Sequence, residues 1–148
     1  MRRPLVILAT TISIAVAASS ASAHHSHPYF YDGCKSITIE GRLESVTFKD
    51  PHTILVVRLD DGAAYVVDWA GLRGLTRDGV LGPAKEALLY DARVIVTGSP
   101  IRDLAQIREH FANIKSVNPN TIDPRSIRLV GGDFSWELSP TPPSCESK

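Results

Sequence analysis

The chain has 148 residues, enough for one domain with a single modest core. Its 16 basic side chains equal its 16 acidic ones, and 43% of its residues are hydrophobic, as in an ordinary globular protein. Because no excess of positive charge is present, we expect no nucleic-acid partner.

The N-terminus has the three parts of a secretory signal peptide. Two arginines follow the initial Met, an apolar run covers residues 5–18, and Ala21-Ser22-Ala23 fits the A-x-A cleavage rule. A retained membrane anchor is the alternative, but the apolar run is shorter than the roughly 20 residues that a spanning helix needs. We therefore predict a signal peptide over residues 1–23, cleavage before His24, a periplasmic location and no stable membrane anchor after cleavage.

The first segments of the mature chain are predicted to be an arm and a coiled strand. Residues 24–35 are polar and aromatic without a period, which predicts an extended, histidine-rich arm. In the strand that follows, the apolar alternation slips by one residue between Leu43 and Val46. Such a slip predicts a β-bulge around residues 44–45.

A hairpin follows this strand. Asp50-Pro51-His52 forms a turn, residues 53–59 and 63–69 alternate as strands, and Asp60-Asp61-Gly62 supplies the tight reversal between them. Both faces of the hairpin are largely apolar. One face fills a core, and the other must be covered by the arm or by a ligand.

The second half of the chain predicts short helices and further strands. Residues 71–90 suggest helical turns interrupted by glycine and proline, and residues 93–99 a fourth strand. Apolar spacing over residues 104–114 is helical, with residues 118–120 ending the helix. Residues 126–138 predict a closing hairpin.

This order of elements predicts a mainly β fold. Three strands, a helical link and further strands are typical of a small five-stranded barrel of the OB type, which we place at residues 36–138. The connections are short helices, and residues 139–148 form a Pro-rich tail. A split β-sandwich is the alternative.

Several short motifs resemble one protein family. They are His24-His25-Ser26, Asp50-Pro51-His52, Trp69 and residues 98–103. In this order they resemble the exported bacterial family catalogued as domain of unknown function 6152, although this chain has Asp50 where the family usually has Asn. The resemblance implies a periplasmic barrel-like domain. It implies no activity and no catalytic residue.

Four histidines are candidate metal ligands. They are His24, His25, His27 and His52, three of them within the first four residues of the predicted mature chain. Imidazole is the commonest metal ligand, and the new α-amine together with the His24 ring would suit Cu(II) or Ni(II). Copper is therefore the candidate cofactor. The alternative is a solvated arm with a structural histidine in the turn.

The two cysteines stand near the ends of the mature chain. An oxidising compartment favours a disulfide between Cys34 and Cys145. It would close a loop of about 110 residues, for which chain entropy gives on the order of 4 to 5 kcal/mol. The alternative is a free thiol at Cys145 on a frayed tail.

The sequence contains no recognisable catalytic constellation. We find no nucleophile with a paired base, no Gly-rich phosphate loop and no clustered carboxylates. The leading hypothesis is therefore a non-enzymatic periplasmic binding module of unknown ligand. The alternatives are a copper- or nickel-binding protein that uses the N-terminal histidines, and an oligosaccharide or peptide binder on the barrel face.

Overall fold

The computed structural model describes residues 27–138, with six strands and four short helices in that part of the chain. In chain order the elements are α1 His27–Phe30, β1 Ile37–Thr47, β2 His52–Arg58, β3 Ala64–Ala70, α2 Leu72–Arg77, α3 Leu81–Ala87, β4 Arg93–Pro100, α4 Leu104–Arg108, β5 Thr121–Leu129 and β6 Ser135–Glu137. Among residues 27–138, no helix is long and apolar enough to cross a membrane.

The predictions for the chain ends concern other residues. The signal peptide, the histidines at positions 24 and 25, Cys145 and the Pro-rich tail all lie outside the described residues. They stay predictions, and so does the disulfide.

The strands close into the predicted barrel. The sheet order is β3-β2-β1-β4-β5-β6, and a parallel pairing of β3 with β5 joins its ends. Five strands form the barrel, with β6 added beside β5 as a sixth strand in the sheet. The prediction of a mainly β, five-stranded OB-like barrel is confirmed.

The predicted bulge in β1 is also confirmed. Leu43 pairs with Val57 and Ser45 with Val56, so the residue between Leu43 and Ser45 is the extra one. Leu43 is buried, and Val46 packs against the core on the other side of the shift. The bulge therefore lets one long strand serve two sheet segments.

Close backbone approach fixes a glycine in β1 and another in β4. A Cβ at Gly41 would clash with the carbonyl oxygen of Arg58, and one at Gly98 would clash with that of Asp123. Both glycines lie where neighbouring strands coil tightly, so any side chain there would push the barrel open.

The barrel interior is the main core. Its largest fully buried members include Trp69, Leu43, Leu55, Ile122 and Ile127. Helices α2 and α3 add Leu75 and Ala84 to the same cluster. The inward face of the predicted hairpin thus fills the core, and α1 from the predicted arm contacts part of its outward face.

Three local predictions differ from the structure. The arm is not extended throughout, because His27–Phe30 form one helical turn. The predicted helix over residues 104–114 ends at Arg108, although its buried residue Ile107 follows the predicted spacing. Strand β5 begins at Thr121, earlier than predicted, and includes Pro124, which is tolerated where the register of β4 and β5 shifts.

Candidate functional site

The candidate site lies on the outer surface of the barrel, where β2, β3 and β5 meet. In β2, His52 and Ile54 face away from the core, and in β3 Asp68 does the same. Ile54 pairs directly with Asp68, so His52 is the diagonal neighbour of Asp68 on this face. Asp123 of β5 is likewise half-buried beside the inward-facing Ile122.

Helix α1 is held against this face by hydrogen bonds to the loop after β4. The Arg102 amide donates to the Phe30 carbonyl, and the Arg102 side chain donates to the Pro28 carbonyl. Tyr31 then forms a β-bridge with Ile101. These contacts fix the first described residue, His27, above the hairpin.

Aromatic contacts support the same helix. The rings of Phe30 and Phe111 stack with centroids 5.0 Å apart, and Tyr29 lies 4.4 Å from His110. His110 is therefore part of the support for α1, away from the ring of His52. Phe111, which the sequence assigned to a long helix, instead packs from the turn after α4.

His27, His52 and Asp68 form a compact group, which we call the His–Asp cluster. The two imidazole rings are nearly parallel, with centroids 5.2 Å apart. His52 Nδ1 lies 2.8 Å from an Asp68 carboxylate oxygen, Oδ1. One potential ligand atom from each of the three residues lies within 4.8 Å of the other two. This arrangement is compact enough for three side chains to reach one ion.

Two atoms of this cluster lack hydrogen-bond partners. His52 Nδ1 and Asp68 Oδ1 are buried from solvent and lie 2.8 Å apart, which is an ion pair only when His52 is protonated, and neither makes a hydrogen bond within residues 27–138. With a neutral His52 ring, a cation that contacts both atoms from one side would satisfy them.

Two further side chains, those of Tyr31 and Asp123, contact the cluster residues and orient them. The Tyr31 hydroxyl donates to Oδ2 of Asp68 at 2.6 Å, which leaves Oδ1 directed at His52. Burial, and then this hydrogen bond, raise the pKa of Tyr31 well above its ordinary value, so the hydroxyl keeps its proton and remains a donor. Asp123 Oδ2 lies 3.3 Å from His27 Nδ1, and this carboxylate raises the pKa of His27.

These contacts form the outer shell that metal-binding histidines usually have. A carboxylate on one ring nitrogen fixes the tautomer and leaves the other nitrogen for an ion. The Asp123 contact at Nδ1 therefore leaves Nε2 of His27 available to an ion.

An open groove of about 350 Å³ borders the cluster. His52 and Asp68 line one side of it, so the groove and the cluster share two residues. Its other lining residues are three apolar side chains, one hydroxyl and one cation: Pro51, Ile54, Val66, Thr121 and Lys49.

The structure brings together two of the four histidines predicted as ligands. His27 and His52 are in contact, as a shared site requires. His24 and His25 lie outside the described residues. Sequence reasoning missed Asp68, whose only signal was a charged residue between the apolar residues of a strand. It also missed the supporting side chains Tyr31 and Asp123.

Fold and site together define a class of protein: an OB-type barrel with a His–Asp cluster on its outer face. The chain belongs to the family of unknown function DUF6152, whose sequence profile matches residues 11–107. The suspected resemblance is thus confirmed.

Solved structures similar to this chain share little sequence identity with it. No curated protein matches the sequence. The chain is similar to a protein in the crystal structure of the S. pombe Stn1-ten1 complex, with 13% identity and a TM-score of 0.44, covering 66% of this chain and 59% of the other. It is also similar to OBody NL8, solved bound to hen egg-white lysozyme, with 20% identity and a TM-score of 0.47, covering 67% and 97%.

Proposed function

We propose that this protein is an exported binding module that takes up a divalent transition-metal ion, Cu(II) before others, at the His–Asp cluster. The observation that carries the proposal is the convergence of His27, His52 and Asp68, whose ligand atoms lie within 4.8 Å of one another, with His52 Nδ1 and Asp68 Oδ1 buried 2.8 Å apart and not hydrogen-bonded. His27 stacks on His52 and supplies a third ligand.

The ligand set favours copper, nickel or zinc. Imidazole nitrogen suits all three, and hard ions such as Mg²⁺ prefer sites made of oxygen. The affinity of a given nitrogen and oxygen site rises along the first-row series to a maximum at Cu(II). This order supports Cu(II) as the tightest ligand.

The present spacing is close to that of a loaded site. Neighbouring ligand atoms of a tetragonal Cu(II) site with bonds of about 2.0 Å lie about 2.8 Å from one another. The cluster atoms, at 2.8 Å for the closest pair and within 4.8 Å overall, need only small side-chain movements to reach that spacing. Three protein ligands leave at least one coordination position for another group.

The mature N-terminus offers further nitrogen ligands in the same proposal. His24 and His25 are separated from His27 only by Ser26, and cleavage before His24 would create an α-amine three residues from His27. One residue added before His24 displaces the α-amine and leaves the cluster residues unchanged. The contribution of the α-amine to binding can therefore be measured separately from that of the cluster.

Export and the disulfide are part of this proposal. The predicted signal peptide and the cysteines at positions 34 and 145 support a periplasmic protein with one intramolecular bond. Intact mass spectrometry of exported protein tests both together. We expect a chain that begins at His24 and is lighter by two hydrogen atoms than the reduced form.

A Cu(II) competition titration of the correctly processed protein tests the metal site. We expect His27→Ala and His52→Ala each to weaken Cu(II) binding by about 100-fold or more, since losing an outer-shell partner alone costs about 10- to 100-fold. Free Cu(II) at 100 times its Kd should also raise the free energy of unfolding by about 2.7 kcal/mol.

His110→Phe is the matched control. His110 is exposed, and Phe removes the imidazole but keeps an aromatic ring against Tyr29, so Cu(II) affinity should be nearly unchanged. If the three histidine variants behave alike, the cluster is not the metal site. If only the extra residue before His24 weakens binding, copper is held by the free N-terminus alone, and the proposed site is wrong.

A further inference from the structure

The groove beside the His–Asp cluster shares its walls with the metal site. Asp68 and His52 contribute to both, so a metal ion at the cluster would border the groove on its inner side. Three protein ligands do not complete the coordination of such an ion. Because two of the three ligand residues line the groove, an open position on the ion would adjoin the groove.

The charges around this position favour a ligand with a single negative charge. A divalent ion would be balanced by the carboxylates of Asp68 and Asp123, and both histidines bind metal as neutral rings. Among the described residues that line the groove, Lys49 is the only lysine or arginine, and within residues 27–138 it makes no ion pair with an acidic residue. The loaded site with Lys49 thus carries one surplus positive charge.

The rest of the groove is apolar. Pro51, Ile54 and Val66 form its walls, and Thr121 adds one hydroxyl. Its volume of about 350 Å³ is at the small end of the range for ligand pockets, about 300–1,000 Å³. Such walls fit a compact hydrocarbon body better than a sugar, which needs many polar partners.

From these observations we infer that the metal-loaded protein binds a small monocarboxylate with an apolar body. One carboxylate oxygen occupies the open position on the metal ion, Lys49 pairs with the negative charge, and the body lies between Pro51, Ile54 and Val66. This inference rests on the proposed metal site, because the ion supplies the main contact.

Calorimetric titration with benzoate tests the inference. Cu(II)-loaded protein should bind benzoate at least about 10-fold more tightly than metal-free protein, because a metal-bound carboxylate replaces one that meets Lys49 alone. Benzyl alcohol, which has the same ring without the charge, should bind both forms equally weakly. The Cu(II) electron paramagnetic resonance signal should change with benzoate and stay unchanged with benzyl alcohol.

Lysine variants separate the groove from general charge effects. Lys49→Met should weaken benzoate binding by about three- to five-fold, the size of an exposed ion pair, and should leave Cu(II) affinity unchanged. Lys85→Met removes the same charge from α3, whose residues do not line the groove, and should have no effect on benzoate. Both lysines are exposed. Lys85 lies over the Phe48 ring at 5.8 Å, and Met keeps a hydrocarbon chain there, so neither change should disturb folding.

The outcomes distinguish this inference from the proposed function. Tight Cu(II) binding with equal benzoate affinity in the loaded and metal-free forms would overturn the inference and leave the metal site standing. Equal effects of Lys49→Met and Lys85→Met would also overturn it. Failure of Cu(II) to bind in the competition titration would remove the proposed function, and the inference with it.

Discussion

Two polar regions on the outside of this barrel look alike in composition and differ in how their charges are paired. On the strands that carry Glu44 and Arg58, the guanidinium makes two hydrogen bonds to the carboxylate, at 2.7 and 2.9 Å. Arg93 similarly holds Glu40 and Asp60. Each of these carboxylates is already paired with a permanent cation in good geometry.

Among the described residues, the carboxylate of the His–Asp cluster and that of the neighbouring Asp123 have no such cation. In the described part of the chain, Asp68 and Asp123 form ion pairs only with histidines, which carry a charge only when protonated. Imidazole offers a lone pair to an ion at neutral pH, and guanidinium cannot. The carboxylates of the arginine network are therefore already neutralised by guanidinium groups. Those of Asp68 and Asp123 remain available to a cation.

Exchanging one carboxylate in each region gives the largest expected contrast. Asp68→Asn removes the negative ligand of the cluster and should weaken Cu(II) binding by about 100-fold. Asp60→Asn removes a carboxylate from Arg93 and should leave Cu(II) affinity unchanged. Competition titrations of both variants measure this, and equal affinities would show that the two regions do not differ in function.

The hydrogen bond behind the cluster should have a smaller effect. Tyr31→Phe deletes only the hydroxyl that donates to Asp68 Oδ2, so the carboxylate loses its orientation and Cu(II) affinity should fall by about 10-fold. Tyr29→Phe, on the exposed side of the same helix, is the control and should have no effect. A Tyr31→Phe affinity equal to wild type would mean that Asp68 is not a ligand.

The pH dependence should be moderate and opposite in sign for folding and for metal binding. Because Asp123 raises the pKa of His27 in the folded state, protonated His27 stabilises the metal-free fold below its unfolded pKa of about 6.5. That contribution is lost as the pH rises through the folded pKa. Metal binding requires the neutral ring, so Cu(II) affinity should rise over the same interval.

Asp123→Asn tests this pH dependence. Without the carboxylate, the pKa of His27 should return toward its ordinary value, and the rise in Cu(II) affinity should move to lower pH. A proton titration of the His27 ring by NMR, together with denaturation at several pH values, measures both changes. An unaltered His27 titration would contradict the assigned contact.

The smallest effect is expected in the arginine network. Arg58→Gln breaks an exposed pair with Glu44, and exposed ion pairs contribute little to stability because water competes for both partners. Chemical denaturation should therefore show nearly the wild-type free energy of unfolding. A large loss would show that the network stabilises the barrel and is not simply a well-solvated surface.

Much of the fold could be predicted from local pattern. The alternation of the hairpin strands and the slip between Leu43 and Val46 located three strands and a bulge, because side-chain period and register are fixed by backbone geometry. The helix after β4 was predicted too long, since Phe111 and Ile114 keep a helical spacing after the helix has ended at Arg108. Tertiary contact with α1, and not propensity, holds Phe111 in place.

Some residues of the candidate site could likewise be predicted from the sequence, and others could not. The sequence by itself marked His27 and His52 as candidate ligands, because imidazoles close to a new N-terminus and in a turn are uncommon and chemically distinctive. Only the tertiary structure brought in Asp68, Asp123 and Tyr31, which are distant in sequence and gave no local signal. Closing the barrel through the β3–β5 pairing, and docking α1 on the loop after β4, places these side chains together. The sequence therefore determined which residue types could bind an ion, and barrel closure decided which of them share one position.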